Sequence, residues 1–296
     1  MTPTRMQRVL VIGATGRVGR TVIAELLAAD VPVRALARRP ASAALPAGVE
    51  VVAGDLTVPD SLDAALQDIS AAFVIWTAPQ TSAPAVVKRL AKHAPRVVLL
   101  SSPHQTPHPF FQQPNPLAAL HANLERLIAV TGVPSTIIRP GMFASNAVLW
   151  WSEAIRTGDV VRWPYGEAET APIHDGDIGS VAARALYEDG HAGRDYVITG
   201  PESLSQAEQV SIIGNAIGRP IRFHELSPEE FRRETASRWP GAAADMLLAA
   251  WGATLGRPAY MTATVTEVVG SPARPFSRWA ADRADAFRGT EAGHGA

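Results

Sequence analysis

The feature that most constrains this chain is a strand, a glycine-rich turn and a helix in direct succession near the N-terminus. Residues 9–12 read Val-Leu-Val-Ile, which is typical of a strand buried on both faces. Gly13, Gly16 and Gly19 follow with GxxGxxG spacing, and an amphipathic pattern predicts a helix over 21–29. This geometry presents backbone N–H groups and a helix N-terminus to a pyrophosphate. We therefore predict a dinucleotide site here; the alternative is a glycine-rich turn in another α/β fold.

Each glycine of the turn has its own expected role. Gly13 permits a sharp turn, and Gly16 keeps the phosphate path free of a side chain. Gly19 allows the helix to pack close to the strand. The spacing differs from the common GxGxxG pattern, so the prediction depends on the flanking strand and helix as well as on the glycines.

Apolar segments and helical patterns alternate through the first half of the chain. Beyond the first unit, strands are predicted over 32–37, 49–53, 71–76, 96–101 and 135–138, and helices over 59–69, 84–93 and 117–130. Repeated βα units of this kind predict an α/β fold with a doubly wound parallel sheet. Ligands of such sheets lie beyond the C-terminal ends of the strands.

Composition excludes several classes of function. The chain has 296 residues, a formal net charge of −1 and no cysteine. The balanced charge gives no indication of a nucleic-acid or membrane partner, and no apolar run reaches the ~20 residues of a membrane span. The absence of cysteine excludes disulfides and thiolate sites and fits a cytoplasmic location. The histidines lack ligand-like spacing, so we predict no metal, and the oligomeric state stays open.

The residues after the second strand indicate the choice of cofactor. Arg38 and Arg39 stand where NAD-binding domains have a carboxylate for the ribose 2′-hydroxyl. A guanidinium suits a 2′-phosphate by charge and by its fork geometry, so we predict NADPH. Arg17, inside the glycine turn, would add a second charge. The alternative is a solvated basic turn before Pro40.

Candidate residues follow the other strands as well. After the third strand, we expect Asp55 to accept from the adenine amino group and Leu56 to pack on the ring; the alternative is an Asx turn at Asp55. Thr77 and Ala78, after the fourth strand, are small enough to lie close to a ribose. The nicotinamide end is expected beside the residues after the fifth and sixth strands, namely Ser101, Ser102, His104, Pro140, Gly141, Met142 and Phe143.

An ordered set of segments resembles one known family across nearly the whole chain. These segments are VIGATGRVG, VRALARRP, GDL, VVLLSS, ERLIAVTGVPSTIIRPGMF and PIHDGDIGSVAARAL. They resemble the NmrA-like branch of the atypical short-chain dehydrogenase/reductases. The resemblance implies a Rossmann core with a small C-terminal substrate lobe. We place the core at 1–144 and the lobe at 145–288, with a segment near 170–200 that returns to the core and a flexible tail over 289–296.

The same resemblance implies where the cofactor contacts lie. The pyrophosphate would contact Gly13, Thr15, Gly16 and Val18, and the 2′-phosphate would contact Arg38. Asp55 and Leu56 would contact the adenine. The ribose and nicotinamide would lie along Thr77, Ala78, Ser101, Pro140, Gly141, Met142 and Phe143.

The chain departs from the family at the position of its general acid. Catalytic members have Tyr-x-x-x-Lys before the TIIRP strand, where this chain has Leu117 and His121. Leucine cannot protonate an alkoxide, and histidine does not replace lysine in charge at neutral pH. The remaining candidates for polarising a carbonyl or donating a proton are Ser101, Ser102, His104, His121 and His174. We predict instead that a hydroxyl of the substrate supplies the proton.

Aromatic residues in the second half indicate the substrate. The chain has seven tryptophans and four tyrosines, which suits a pocket for a flat apolar molecule. The substrate-binding candidates are Phe143, Trp150, Trp151, Tyr165 and His174, with the 102–116 loop as a lid. We predict NADPH-dependent reduction of a carbonyl on a flat aromatic substrate, either quinone-like or a polyketide. In the most specific form of this prediction, the protein resembles the angucyclinone-type ketoreductases, which lack the Tyr/Lys pair. The alternative is an NADPH-sensing regulatory protein without turnover.

Overall fold

The computed structural model describes residues 8–239 and 241–288. The strands in these ranges are β1 (Val9–Ile12), β2 (Val33–Ala37), β3 (Glu50–Ala53), β4 (Ala71–Ile75), β5 (Val97–Leu100), β6 (Ser135–Pro140), β7 (Val160–Pro164), β8 (Glu169–Thr170), β9 (Asp195–Ile198), β10 (Leu204–Ser205) and β11 (Arg222–Leu226). The helices are α1 (Arg17–Ala28), α2 (Ala83–His93), α3 (Pro116–Thr131), α4 (Asn146–Thr157), α5 (Asp175–Tyr187), α6 (Gln206–Ala216), α7 (Pro228–Thr235), α8 (Gly241–Gly252), α9 (Thr264–Val269) and α10 (Phe276–Asp282).

Seven parallel strands of the described chain form the central sheet, in the order β3-β2-β1-β4-β5-β6-β9. This confirms the predicted α/β fold with a doubly wound parallel sheet. The chain moves outward from β1 in one direction and from β4 in the other. The turns after β1 and β4 therefore lie side by side at the C-terminal ends of the strands, where a cofactor cleft is expected.

The sheet is buried on both faces because successive side chains of each strand point in opposite directions. Val9 and Val11 pack in one core with α1 and α5. Leu10 and Ile12 pack in another core with α2 and α3. This explains why the strands read as continuous apolar runs rather than as alternating sequences.

Two elements lie in the range predicted for the lobe but pack with the Rossmann core. β9 is a strand of the central sheet, and α5 is a helix that packs against this sheet. β9 pairs with β6, and α5 packs along α1. The approach of the two helices is close at Gly179, where an added Cβ would lie 2.8 Å from the Cβ of Thr21. The division at residue 144 stays a prediction, and the predicted tail over 289–296 lies outside the described residues.

A third core fills the C-terminal part of the chain. Its largest fully buried side chains include Trp151, Trp251 and Trp279, and β7, β11 and five helices surround it. Aromatic rings in this core meet edge to face, as Trp163 and Phe231 do at 4.9 Å between ring centroids. Most of the tryptophans that predicted a substrate pocket are thus also core residues.

The sequence prediction of a helix over 59–69 is wrong. It forms a single 3-10 turn (Pro59–Leu62) followed by further turns, although its apolar residues are buried as a helix would require. The buried guanidinium of Arg34 donates to the carbonyls of Ala64, Ala65 and Gln67, at 3.3, 3.0 and 2.6 Å. Because these carbonyls accept from Arg34, they do not accept the backbone hydrogen bonds of a regular α-helix.

One helix start also differs from the sequence prediction. Helix α1 begins at Arg17 rather than at 21, because Gly16 already occupies the N-cap position. Helix α5 has His174 as its N-cap, whose Nδ1 accepts from the backbone N–H of Gly176 at 2.9 Å. Asp175 and Asp177 lie inside the first turn of α5.

From the sequence we also expect no membrane span and no metal site. In the described part of the chain, no helix has the length and apolarity to cross a membrane. In the same residues, no group of three or more His, Asp or Glu side chains is arranged to hold a metal ion.

Candidate active site

The glycine turn after β1 has the geometry that its sequence predicts. Gly13 has a φ of +84°, and an added Cβ there would lie 2.8 Å from the Cβ of Ile75. An added Cβ at Gly19 would lie 2.2 Å from the carbonyl oxygen of Gly13, so only glycine permits this approach of helix to strand. Gly16 has an extended backbone and no side chain caps α1. The first-turn N–H groups of α1 therefore lack intrahelical partners and are available to a phosphate.

A groove of about 540 Å³ runs from this turn along the ends of β2, β3 and β4. It is lined by residues that follow these strands and by Phe143 from the loop after β6. The predicted cofactor residues that it brings together are Gly13, Thr15, Gly16, Arg17, Val18, Arg38, Asp55, Leu56, Thr77, Ala78 and Phe143. Backbone N–H donors, two arginines and small residues in one groove fit a dinucleotide phosphate.

The charged residues of the groove differ in their partners. Arg17 and Arg38 are exposed on its wall, whereas Arg39 does not line it. The carboxylate of Asp55 accepts from the backbone N–H and the hydroxyl of Thr57, both at 2.8 Å. These two hydrogen bonds, with a smaller contribution from the charge of Arg38, lower the pKa of Asp55. The Asx-turn geometry is therefore present, and the adenine contact of Asp55 stays a prediction.

A second cavity of about 290 Å³ adjoins the groove at Phe143, which lines both. We call it the substrate cavity. The predicted residues that line it are Ser101, Ser102, His104, His121, Pro140, Gly141, Met142, Phe143 and Trp150. Phe110, Phe111, Leu117, Met246 and Leu247 supply much of its remaining apolar surface. Among the described residues that line it, none is Lys, Arg, Asp or Glu, so the cavity suits an uncharged molecule.

The loop over 102–115 forms one side of this cavity. Phe110 and Phe111 reach into it from the loop, and Met246 and Leu247 reach into it from α8. The loop is tied to the C-terminal part of the chain, since His108 Nε2 lies 3.3 Å from the carbonyl oxygen of Pro258. Its action as a lid stays a prediction.

Glu125, whose side chain is 10% exposed, is a hydrogen-bonding centre beside the cavity that sequence reasoning did not assign. Arg139 donates to it from Nε at 3.1 Å and from Nη2 at 2.7 Å, and Ser101 donates its hydroxyl proton to the same carboxylate. Arg139 also pairs with Asp195 at 2.9 Å. Two features of the sequence point to this centre: a charged residue in the apolar strand β6, and the i, i+4 spacing of His121 and Glu125 on α3.

These contacts set the charges at the back of the cavity. Burial alone would raise the pKa of Glu125, but the hydrogen bonds from Arg139 and Ser101 and the charge of Arg139 outweigh it and lower that pKa. Burial lowers the pKa of His121, against the opposing charge of Glu125. The carboxylate is therefore held ionised, and the neutral form of His121 is favoured.

Three polar atoms of the cavity residues are buried without a hydrogen-bond partner. They are Ser102 Oγ, His104 Nε2 and His121 Nδ1. His104 Nδ1 lies 3.0 Å from the carbonyl oxygen of Ser102, and its Nε2 lies 3.9 Å from Glu125 Oε2. The hydroxyl proton of Ser101 is directed to Glu125, whereas the hydroxyl of Ser102 is buried and has no hydrogen-bond partner.

The structure places the other predicted substrate residues away from the substrate cavity. Trp151 is fully buried in the third core, on the far side of Trp150. Tyr165 lines neither the groove nor the cavity, and its backbone N–H donates to Glu225. His174 caps α5 with one ring nitrogen, while the other lies 3.4 Å from Asp282.

Leu117, at the position of the family tyrosine, lines the cavity and is 54% exposed.

The sheet order and the groove at its edge define a dinucleotide-binding Rossmann protein. Residues 13–189 match the profile of a family described as NAD(P)H-binding, and the chain belongs to that family. Its similarity to named reductases along nearly the full length makes it an NAD(P)H-dependent oxidoreductase. The resemblance to atypical short-chain reductases is thereby confirmed.

Two curated relatives and two solved structures illustrate this kinship. The (4-alkanoyl-5-oxo-2,5-dihydrofuran-3-yl)methyl phosphate reductase of Streptomyces griseus is 35% identical, covering 94% of this chain and 99% of that protein. The NAD(P)H azoreductase of Xenophilus azovorans is 32% identical, with the same coverage of 94% and 99%. The NADPH-dependent quinone oxidoreductase of Escherichia coli matches with a TM-score of 0.78 at 24% identity, covering 93% of this chain and 98% of that one. The triphenylmethane reductase of Citrobacter sp. also gives 0.78, at 23% identity, covering 94% and 99%.

Proposed function

We propose that this protein uses NADPH to reduce a carbonyl on a flat aromatic molecule, quinone-like or a polyketide. The observation that supports this most directly is the junction at Phe143 between the phosphate-binding groove and an uncharged, largely apolar cavity. When bound, NADPH supplies a hydride. The chain's own residues hold the cofactor phosphates, position the acceptor and exclude water.

The shape and composition of the substrate cavity favour a neutral aromatic acceptor. The aromatic rings of Phe110, Phe111 and Trp150 provide flat apolar surface. Such a cavity orients a planar molecule by its faces. Orientation of this kind can contribute more to the rate than a general acid does.

We further propose that the proton for the reduced oxygen comes from a hydroxyl of the substrate. Leu117 has no proton to give, and the proton of Ser101 is directed to Glu125. A phenolic or enolic hydroxyl beside the carbonyl would protonate it internally. Hydroquinone formation makes a similarly small demand, because a phenolate (pKa about 10, as in tyrosine) is far less basic than an alkoxide.

The relatives support the class of acceptor. One is named an azoreductase, one a quinone oxidoreductase and one a reductase of triphenylmethane dyes, and these names describe conjugated molecules with aromatic or quinonoid rings. Another is named for a furanone that bears a phosphate. Because no Lys or Arg is among the described residues that line the substrate cavity, we favour an uncharged acceptor for this chain. A cytoplasmic location stays a prediction.

The alternative is a sensor that binds NADPH without turnover. The loss of the acidic tyrosine at Leu117 favours it, and one relative is named a nitrogen metabolite regulation-like protein. A screen of purified protein with NADPH against menadione, 1,4-naphthoquinone, hydroxylated anthraquinones and azo dyes separates the two. Turnover of at least one quinone or hydroxyanthraquinone is expected; NADPH binding with no turnover across the panel would establish the sensor instead.

A blocking variant tests whether the substrate cavity is the site of turnover. Ala118 lines the cavity on α3, whereas Ala129 is exposed on the same helix outside it. Ala118→Trp should abolish turnover and keep NADPH affinity, and Ala129→Trp should change neither. Equal activity of the two variants would place the acceptor elsewhere.

A further inference from the structure

Arg20, near the start of α1, connects the glycine turn to the loop that follows β2. Its Nε donates to the carbonyl oxygen of Thr15, within the glycine turn, at 3.1 Å. Its Nη1 and Nη2 donate to the carbonyl oxygens of Ala44 and Ala43, at 2.7 and 3.0 Å. One planar guanidinium thus joins two segments that border the cofactor groove, although Arg20 itself does not line the groove.

The loop between β2 and β3 is mostly exposed. Its one short regular element is a 3-10 turn over Pro40–Ser42, and most residues over 38–48 face solvent. Ala43 is buried, and Leu45 packs partly against the core that contains α1 and α5. Exposed loops of this kind move more than the elements they connect unless side chains fix them. The hydrogen bonds from Arg20 fix this loop beside its buried residues.

The backbone of Ala44 shows that the loop needs such a contact. Its φ is +45°, a conformation that residues other than glycine rarely adopt. A residue persists in this conformation only when its surroundings hold it there. The carbonyl of Ala44 accepts the shortest of the three hydrogen bonds from Arg20, so Arg20 stabilises a conformation that the loop by itself disfavours.

The loop matters for the cofactor because it begins at Arg38. Arg38 lines the groove, and Arg39 leads directly into the 3-10 turn. A side chain whose backbone is fixed before binding loses less conformational freedom when it contacts a ligand. By fixing the loop against Thr15, Arg20 therefore strengthens a contact that it does not make itself.

The guanidinium of Arg20 is suited to this role by its shape as well as its charge. It donates in several fixed directions, and all three of its acceptors are backbone carbonyls. Lysine would keep the positive charge but has its donors on a single rotating ammonium group. Replacement of Arg20 by lysine therefore separates the effect of the fork from the effect of the charge.

We propose that Arg20 is a positioning residue for NADPH, which holds the loop after β2 so that Arg38 meets the 2′-phosphate in a preformed position. The proposal rests on the proposed role of Arg38 at that phosphate. It makes a residue outside the groove part of the selection between NADPH and NADH.

Arg20→Ala tests the proposal through the ratio of the dissociation constants for NADH and NADPH. We expect this ratio to fall by about threefold to tenfold, because only NADPH has the 2′-phosphate. Arg20→Lys should lower the ratio nearly as far, since it keeps the charge and loses the fork. A parent-like ratio in either variant would overturn the proposal.

Arg156→Ala is the matched control. Arg156 is likewise exposed and donates to a backbone carbonyl, that of Ala286, but it lies outside the groove. Its removal should leave the ratio of dissociation constants unchanged. A fall equal to that of Arg20→Ala would show that the loss of any surface arginine has this effect, and the proposal would be wrong.

A double variant shows whether Arg20 acts through Arg38. In the Arg38→Ala background, Arg20→Ala should change the ratio by less than about twofold, because the residue that it positions is gone. A further fall as large as in the parent background would mean that Arg20 acts on the phosphate directly. A parent protein that binds both nucleotides equally would refute the role of Arg38 and the cofactor choice together, whereas an unchanged ratio in Arg20→Ala from a parent that prefers NADPH would refute only the positioning role.

Hydrogen exchange on the cofactor-free protein measures the fixing of the loop itself. The backbone N–H groups of Ser42 and Ala43 donate to the carbonyls of Arg39 and Pro40 at 3.2 and 3.1 Å. These amides should exchange faster in Arg20→Ala, while the amides of β2 exchange as in the parent protein. Unchanged exchange over 40–45 would show that the loop does not depend on Arg20 and would overturn the proposal.

Discussion

The cofactor groove and the substrate cavity meet at Phe143 but are built in different ways. The groove consists of the ends of neighbouring strands, and its central feature is the backbone of the glycine turn. The cavity consists of side chains from α3, α4, α8 and the loops after β5 and β6. Beside the cavity, Glu125 accepts hydrogen bonds from Ser101 and Arg139.

This difference means that the two regions should respond differently to substitution. A groove made of backbone tolerates few changes in conformation or bulk. A cavity made of side chains can change its acceptor through one or two residues while the sheet stays intact. Five predictions test this contrast, from the largest expected effect to the smallest.

Gly16→Val should abolish NADPH binding. The backbone at Gly16 is extended (φ −77°, ψ 170°), which valine can adopt. An added Cβ would lie 3.3 Å from the carbonyl oxygen of Gly13, a contact that a small shift relieves, and the rest of the side chain would occupy the groove. Gly158→Val is the control, since Gly158 is also extended and lies outside the groove. Calorimetry with NADPH on both folded variants decides; parent-like affinity in Gly16→Val would mean that the turn does not hold the pyrophosphate.

Glu125→Ala should lower the free energy of unfolding by about 3 kcal/mol at pH 7, because it leaves Arg139 buried with one partner fewer. Glu234→Ala, which breaks the exposed pair with Arg162, should cost less than about 1 kcal/mol. Urea unfolding of each variant measures the difference. Equal losses would show that the centre around Glu125 is no more important than a surface pair.

The same variant has a defined dependence on pH. The pKa of Glu125 is lowered in the fold, so its contribution to stability is present above the unfolded pKa of about 4.3. That contribution is lost as the pH falls through the lower folded pKa. The gap between the parent and Glu125→Ala should therefore narrow below pH 4, and a gap that widens there would contradict the assigned charge.

Arg38→Ala should weaken NADPH binding by about 10- to 100-fold and leave NADH binding nearly unchanged, as expected for one charge-assisted contact to the 2′-phosphate. Arg39→Ala is the matched control, because Arg39 does not line the groove. Dissociation constants for both nucleotides test this. The cofactor choice would be wrong if the parent protein bound NADPH and NADH equally.

Alanine replacements of Ser102, His104 and His121 should each lower turnover by less than about tenfold. An obligatory general acid among them would cost about 10²–10⁴. Methylation of the hydroxyl beside the substrate carbonyl should lower turnover far more. A thousand-fold loss in one variant, with the methylated substrate still reduced, would show that the protein supplies the proton.

The groove could be predicted from sequence because its parts are local. The positive φ of Gly13 and the close approach at Gly19 follow from three glycines placed between a strand and a helix. The ends of the strands could be ordered because parallel βα units have few topologies. The segment over 59–69 was predicted wrongly because Arg34, which takes its carbonyls, is distant in sequence.

The cavity was harder to predict because its parts come from separate segments. Trp150 and Trp151 are adjacent in sequence, yet one lines the cavity and the other lies in the core behind it. The role of Glu125 depends on contacts with Arg139 and Ser101 that only the folded sheet creates. A local sequence pattern identifies the residues near a strand end, but it does not show which of their hydrogen-bond donors lack an acceptor in the fold.

The packing of α5 along α1 has a consequence for how the chain is made. Val22, Ile23 and Leu26 of α1 are fully buried, and Ile178 and Val181 of α5 belong to the same core. A ribosome releases α1 long before it reaches α5, so the nascent chain exposes an apolar helix face until about two-thirds of it has been synthesised. A fragment that ends at residue 144 has this face permanently uncovered, and we expect it to aggregate even though it contains nearly the whole cofactor groove.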